Sequence, residues 1–445
     1  MSKLALCSSV FICWTGFASA QDAELEERVR VLEDLVRALA EELELERADI
    51  ARLESETQVM VEELTQSMEA EVEAVTAAVT PGNDGFRVGD VRIAFGGLID
   101  LDVHVSEFSD GAVPSGSVAR DFYIPSLTPV GGASSEVLTD FTSQASRFFL
   151  RADRTTGGHR VAANLELDFL LSAQGTETVS NSFAPRLRLG YFDFDNYRFG
   201  QDWTTFQNTS AIPESASFLV ASDGMVFVRQ PVARAPFGGF QIAVENGDTT
   251  VTTPAGGRIE ADEQFVPDLI ARYNWRGDFG NVSFGGILRQ LRGEVPGVID
   301  DDSAVGWGLS ASGRINTPTG GDVRFNVVGG EGVGRYVGLN AIAGAFVSPA
   351  GQLDPIPLVG GFLALRQPLA GSWRFNVGYS GLFADNPELV PGSVTQNVQS
   401  AFLSVLTDLA PRVTVGGELL FGRRELGDDE AGDLMRFTFS TKYAF

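Results

Sequence analysis

The chemistry this sequence advertises is that of the guanidinium group. Arg147, Arg151, Arg186, Arg188, Arg198, Arg229, Arg272, Arg289, Arg314, Arg324 and Arg374 each stand on the polar parity of a short run whose other parity is apolar. Arginines stacked on one face of successive runs can grip carboxylates or phosphates through paired hydrogen bonds and lower the barrier to anions. The same spacing also fits a solvated lining in which these arginines neutralise Asp100, Asp102, Glu166 and Asp168, and the sequence leaves both readings open. Other reactive groupings are sparse. The two histidines are His104, beside Ser106 and Asp102, and His159, in the turn Gly158-His159-Arg160; neither makes a convincing nucleophile and base pair, so no enzyme is expected. Asp300-Asp301-Asp302 and Asp428-Asp429-Glu430 could offer oxygen ligands to calcium but read as solvated loop tips. No metal and no cofactor is expected.

Composition narrows the setting in which such arginines act. The 445 residues include 50 glycines and 32 phenylalanines and carry a net charge of -26. That acidity argues against nucleic acid as a partner, since phosphate binding needs clustered Lys and Arg. Mean hydropathy is near zero, and beyond residue 20 no apolar run reaches the length of a spanning helix. Any crossing of a membrane therefore falls to strands.

The elements that would position the arginines are strands with strict two-residue alternation. Val91, Ile93, Phe95, Ile99, Leu101, Val103 and Val105 share one face, while Arg92, Asp100, Asp102 and His104 share the other. Alternating runs recur over 147–153, 161–171, 185–193, 196–201, 225–229, 239–245, 267–276, 281–291, 303–316, 322–330, 356–367, 372–384, 395–406, 412–423 and 436–445. Together they make about sixteen antiparallel strands, the even number that closes a transmembrane barrel. The last run, Arg436 to Phe445, sets Phe437, Phe439, Tyr443 and Phe445 against Arg436, Ser440 and Lys442. It reads as the closing strand, its aromatics toward lipid as a membrane-assembly signal and its cations toward the channel.

Connections between these runs alternate in length. Tight turns fall at 155–158, 195–196, 236–238, 277–280, 317–321, 370–371 and 408–411. Long Gly-, Pro-, Ser- or Asp-rich segments fall at 107–146, 172–184, 202–224, 246–266, 293–302, 331–355 and 385–394. Short turns on one rim and long loops on the other are the outer-membrane layout. The 202–224 segment is expected to fold inward as a constriction, with Asp202, Glu214 and Asp223 facing the arginine wall.

Ahead of the strands the texture differs. Lys3, the apolar stretch from Leu4 to Phe17 and Ala18-Ser19-Ala20 read as a signal peptide over 1–20, and both cysteines, Cys7 and Cys13, lie inside it. Residues 21–80 repeat every seven residues: Leu25, Leu32, Leu39, Leu53 and Met60 form one seam, and Val29, Val36, Leu43, Ile50 and Leu64 the other. Glu46 and Thr57 interrupt them. The pattern predicts a periplasmic coiled coil that associates with itself but does not settle dimer against trimer. Pro81 and Gly82 open a linker over 81–90 that leads to the barrel at 91–445.

Phe199-Gly200-Gln201-Asp202-Trp203-Thr204-Thr205-Phe206, then Ile212-Pro213-Glu214, then Phe227-Val228-Arg229-Gln230-Pro231 with Arg234, resembles the core pattern of the DcaP-like trimeric outer-membrane porins. The layout of the whole chain is similar to theirs, and the motif match covers 199–234. The resemblance implies a homotrimeric porin in the bacterial outer membrane, embedded in its lipid, passing small anionic solutes such as dicarboxylates. Strand parity makes Arg147, Arg151, Arg186, Arg188, Arg198 and Arg229, with Arg234 of the motif, the candidate pore-lining residues, and Asp202, Trp203, Glu214 and Asp223 are the candidates for the constriction. Family members often carry an aromatic residue after the second arginine of the motif, where this chain has Ala235-Pro236. An alternative role is structural: a barrel whose coiled coil reaches the cell wall and tethers the membrane to it.

Overall fold

The structure, a computed structural model, describes residues 79–82, 85–171, 175–176, 182–261, 264–295 and 297–445. The signal peptide and the coiled coil expected over 1–80 lie outside the described residues, apart from the first two residues of a short strand at 79–82. After a leading strand, Gly85–Val88, sixteen antiparallel strands follow one another around a closed sheet. They are β1 Val91–Phe108, β2 in two pieces (Glu136–Thr142 and Arg147–Thr156), β3 His159–Asp168 and β4 Arg186–Phe194. Next come β5 Tyr197–Trp203, β6 Arg229–Phe237, β7 Phe240–Glu245 and β8 Asp268–Gly277. The second half comprises β9 Gly280–Val295, β10 Ile299–Asn316, β11 Asp322–Glu331, β12 Pro357–Pro368, β13 Arg374–Ala384, β14 Thr395–Ala410, β15 Val413–Leu426 and β16 Ala431–Ala444.

Closure runs through the terminal strand. Ala444 pairs with Leu98 and Leu434 with Phe108, so β16 zips antiparallel along β1 and leaves neither edge open. Phe437, Phe439 and Tyr443 are half exposed on the outer face, whereas Arg436, Thr438 and Ser440 are buried inside. Phe445 exchanges two backbone hydrogen bonds with Gly97, and its ring centroid lies 5.6 Å from Phe95 and 5.9 Å from Phe148. A Cβ on Gly97 would come within 2.2 Å of the Arg147 carbonyl oxygen across the β1–β2 ladder. Gly97→Ala should therefore reduce the fraction of chain that reaches the closed, heat-modifiable form on an unboiled gel.

The outer face is a belt of Phe, Leu, Val, Trp and Tyr side chains, among them Phe95, Leu150, Trp275, Leu309, Leu363 and Leu419. Alternation follows from the pleat, which sends every second residue to lipid. Among the described residues no helix is long and apolar enough to cross a membrane.

Three boundaries differ from those the sequence suggests. The sixth strand is Arg229–Phe237 and not 225–229: Pro231 and Pro236 read as loop residues because proline removes a ladder donor, yet both sit in the ladder, opposite Gln201 and Gln241. Met225 and Val226 belong instead to the buried segment inside the barrel. The loop expected over 293–302 is mostly strand, since β9 and β10 continue to Val295 and from Ile299. The segment 107–146 contains a strand, Glu136–Thr142, which pairs with the outer half of β1 while Arg147–Thr156 pairs with its inner half.

Part of the interior is a hydrophobic core. Phe362, Phe402, Leu420 and Leu434 point inward from β12, β14, β15 and β16 and pack on Phe122, Tyr123, Leu219, Val220 and Met225 of two long loops. A second cluster joins Phe206 and Val226 to Tyr336, Val337 and Ile342 of the loop after β11. A four-stranded annex, Thr250–Thr252, Arg258–Glu260, Ala345–Val347 and Leu353–Pro355, links the loops after β7 and β11.

Candidate functional site

The segment between β5 and β6 leaves the wall at Thr204 and returns at Val228, whose carbonyl accepts the Thr204 N–H. Its route is set by polar anchors on the far strands. Arg324 of β11 donates to the Ile212 carbonyl, and Arg366 of β12 and Arg374 of β13 close on Glu214 at 2.9 and 2.8 Å. Glu418 of β15 accepts from Ser215, Ala216 and Ser217, and the Gly224 N–H donates to Ser380 of β13. Phe218, next along the loop, lies against a different wall, with the Arg188 guanidinium of β4 5.8 Å from its ring centroid. The inward fold expected of this segment is present.

Its acids sit elsewhere than expected. Asp202 does not face the arginines across a gap; it ends β5 on their own side and binds Arg198 at 2.8 Å and Arg234 at 3.0 Å. Glu214 is consumed by Arg366 and Arg374. Asp223 is buried, accepting the hydroxyls of Tyr123 and Ser400. None of the three is a free carboxylate at a constriction, because each compensates cations or donors that would otherwise be buried alone.

The arginine wall divides into two groups. Arg147, Arg186, Arg188 and Arg229 converge near the long-loop end of β2 to β6, close enough for the other three to repel Arg229 electrostatically. Two carboxylates answer them: Asp168 takes both arms of Arg186 at 2.8 Å and Arg188 at 3.0 Å, and Glu166 takes Arg188 at 2.8 Å and Arg147 at 3.4 Å. The convergence depends on a bulge. Glu166 pairs with Leu189 and Leu167 with Leu187, so Arg188 is an extra residue in the ladder and reaches the same carboxylates as Arg186. Arg229 has no acid partner: its guanidinium lies 5.1 Å from the Trp203 ring centroid and 5.9 Å from that of Phe227, and its Nη1 is buried without a hydrogen-bond partner among the described residues. Trp203 thus carries an arginine and does not stand free in the constriction.

Nearer the short turns the arginines have hydrogen-bond partners, some of them carboxylates. Arg198 binds Asp193 and Asp202 and lies 3.7 Å from the Tyr191 ring centroid. Arg234 reaches Asp202, Thr205 and the Trp203 carbonyl, a role that does not need the aromatic residue missing from the motif. Arg151 donates to Asn164 and covers the Phe149 ring. Of the remaining arginines, Arg289 pairs with Asp268, Arg314 and Arg324 with Asp322, and Arg272 donates to Gln241 and the Gln207 carbonyl.

The other groupings are engaged in contacts within the barrel. His104 Nδ1 is 2.9 Å from the Thr438 hydroxyl, and Ser106 accepts from Arg436, so no serine and histidine pair forms. Arg436 and Lys442 point inward as expected but are spent on loop carbonyls, Arg436 on Ala119 and Lys442 on Ala216 and Ser217. Asp301 pairs with Arg292, and among the described residues no three carboxylates, histidines or cysteines could hold a metal ion. His159 Nδ1 lies 2.8 Å from Asp195 in a short turn, where that contact and the Arg160 N–H hold the Asp195 carboxyl below its usual range.

A closed sixteen-stranded barrel with an apolar belt and an inward loop is the architecture of a membrane channel. In fold the chain is similar to the outer membrane channel DcaP of Acinetobacter baumannii, with a TM-score of 0.68 at 19% identity over 83% of this chain and 100% of that one. Weaker likenesses are the anion-selective porin of Comamonas acidovorans, TM-score 0.47 at 13% identity over 80% of this chain and 100% of that one, and a trimer form of OmpT of Vibrio cholerae, TM-score 0.47 at 13% identity over 80% and 99%. No family model and no curated protein matches the sequence.

Proposed function

We propose that the protein is an outer-membrane porin that passes small anionic solutes, dicarboxylates among them, by passive diffusion. The observation that carries this reading is the unequal cluster at the inward loop: four guanidinium groups from β2, β4 and β6 against two carboxylates from β3, with Arg229 unpaired. An anion passing Phe218 meets the excess positive field of this cluster. Elsewhere along the wall Arg198, Arg234, Arg289, Arg314 and Arg324 are each paired with a carboxylate.

Self-association into a homotrimer belongs to the same reading. A transmembrane strand needs about 9–11 residues, whereas β5 has 7 and β7 has 6, against 16 in β9 and 18 in β10. A low wall on one side is better covered by protein than by lipid, and further copies of the chain are the natural cover. The coiled coil read over 21–80 would then sit in the periplasm and hold the copies together; a tether to the cell wall is compatible with that arrangement and draws no specific support.

Planar-bilayer recording of the purified protein tests the channel. Under a salt gradient the reversal potential should report anion preference, and added dicarboxylate should interrupt the current of small ions. Cation preference would sink the role given to the arginines, and an absence of conductance would sink the porin.

A further inference from the structure

We infer that Glu418 is a positioning residue, an acid-labile latch that holds the tip of the inward loop against β15 and so sets how closely Phe218 approaches Arg188. The inference rests on the channel reading for its consequence but on packing alone for its mechanism.

Three donors from consecutive loop residues converge on this one side chain. The Ser217 hydroxyl donates to Oε1 at 2.6 Å, and the Ser215 hydroxyl and Ala216 N–H donate to Oε2 at 2.8 and 3.0 Å. Glu418 is 2% exposed, and Ala216 is fully buried beneath the contact. From the neighbouring strand Lys442 donates to the carbonyls of Ala216 and Ser217, so these two of the three residues are gripped through both donor and acceptor. Elsewhere in the loop Glu214 is gripped by side-chain charge and Asp223 by hydroxyls, and Gly224 donates to Ser380 and accepts from Asn326; of these stretches only 215–217 has a wall carboxylate as its acceptor.

A carboxylate suits this post because it accepts only, and ionised acceptors bind about twice as strongly as neutral ones. Protonation changes the arithmetic. A neutral carboxyl can still accept the Ala216 N–H and pass its proton to a serine hydroxyl, but the three bonds are then no longer charge-assisted and hold about half as strongly. The charged groups around Glu418 are Lys442 and Arg436 on β16 and Asp102 on β1; Asp100, also on β1, lies 3.9 Å from Lys442. Acid leaves both cations in place, and a protonated Glu418 holds the loop through weaker, neutral hydrogen bonds while Lys442 keeps its hold on the two carbonyls. The tip loosens on the side where the hydroxyls were bound, and Phe218, the next residue, shifts against Arg188 while its ring stays on Phe122, 4.9 Å away between centroids.

Cysteine labelling reads this directly, without relying on conductance. In a protein carrying Ala216→Cys, with Cys7 and Cys13 replaced by serine, reaction with a membrane-impermeant maleimide should be slow at about pH 8. Reaction rates are compared after correction for thiolate content at each pH, using a fully exposed cysteine on the same barrel. The corrected rate should rise by about tenfold on moving to about pH 5, as expected for a local opening that follows protonation. Adding Glu418→Gln should give fast labelling at both pH values, whereas adding Asp102→Asn should leave the pH response intact. Should Glu418→Gln fail to give a heat-modifiable barrel, Ser217→Ala removes one donor only and should raise the rate at high pH. Equal corrected rates at the two pH values, or a pH response that survives Glu418→Gln, would overturn the latch. A protein that shows the labelling response but no ion current would retain the latch and lose the porin.

Discussion

Replacing Arg229 with glutamate should abolish the preference for anions while leaving the barrel folded. Arg229 belongs to the group of four cations answered by two carboxylates, and Arg229→Glu brings the tally to three against three. At about 6 Å in a water-like dielectric a unit charge is worth about 0.7 kcal/mol. A two-unit change therefore moves the partition of an anion by about 1.4 kcal/mol, close to tenfold. Reversal potentials in a salt gradient measure it, and the difference between wild type and variant should shrink at molar salt as screening lengths fall to about 3 Å. Stability should change little, because Arg229 makes no ion pair and is repelled by its neighbours; what it loses is its contact with the Trp203 and Phe227 rings. A variant with unchanged selectivity would place the discriminating field elsewhere along the wall.

Much of the barrel can be read in the sequence because lipid imposes a rule on every second residue. The face of β1 that carries Ile99, Leu101 and Val105 and the face of β16 that carries Phe437, Phe439 and Tyr443 follow from that rule alone. The rule fails where the inside is also apolar. Phe362, Phe402, Leu420 and Leu434 face inward, so β12, β14, β15 and β16 carry apolar residues on both parities, and nothing in that pattern says that a loop fills the space. Site residues divide in the same way. Arg147, Arg186 and Arg188 are visible as polar-parity arginines, but the bulge that brings Arg188 beside Arg186 is one unpaired residue in the run Arg186-Leu187-Arg188-Leu189, which alternates as a regular strand would. Asp202, Glu214 and Asp223 look alike in sequence, and only their neighbours show that all three are already compensated. Glu418 gave no signal beyond its parity, for its partners lie about 200 residues away.

Asp168→Ala should be among the most destabilising single changes in the wall. Its carboxylate is fully buried and accepts both arms of Arg186 and one from Arg188. Removing it leaves Glu166 alone against Arg147, Arg186, Arg188 and Arg229. Arg186 is partly exposed and can recover water, but Arg188, at 4% side-chain exposure, cannot. Breaking a buried pair by deleting one partner costs about 3–5 kcal/mol, most of it the charge left behind. Denaturant titration of the barrel in detergent should show that loss, and Asp168→Asn should recover part of it by keeping acceptor capacity for Arg188. The channel should move the other way. With four cations facing one carboxylate, whatever folds should select anions more strongly than the wild type, the opposite of Arg229→Glu. If the two acids exist to make the arginine cluster bearable inside a barrel, stability and anion preference must trade against each other at Asp168, whereas Arg229→Glu changes preference almost alone. Observing both losses together in Asp168→Ala would mean that the carboxylate shapes the path itself and is not merely the counterweight to its walls.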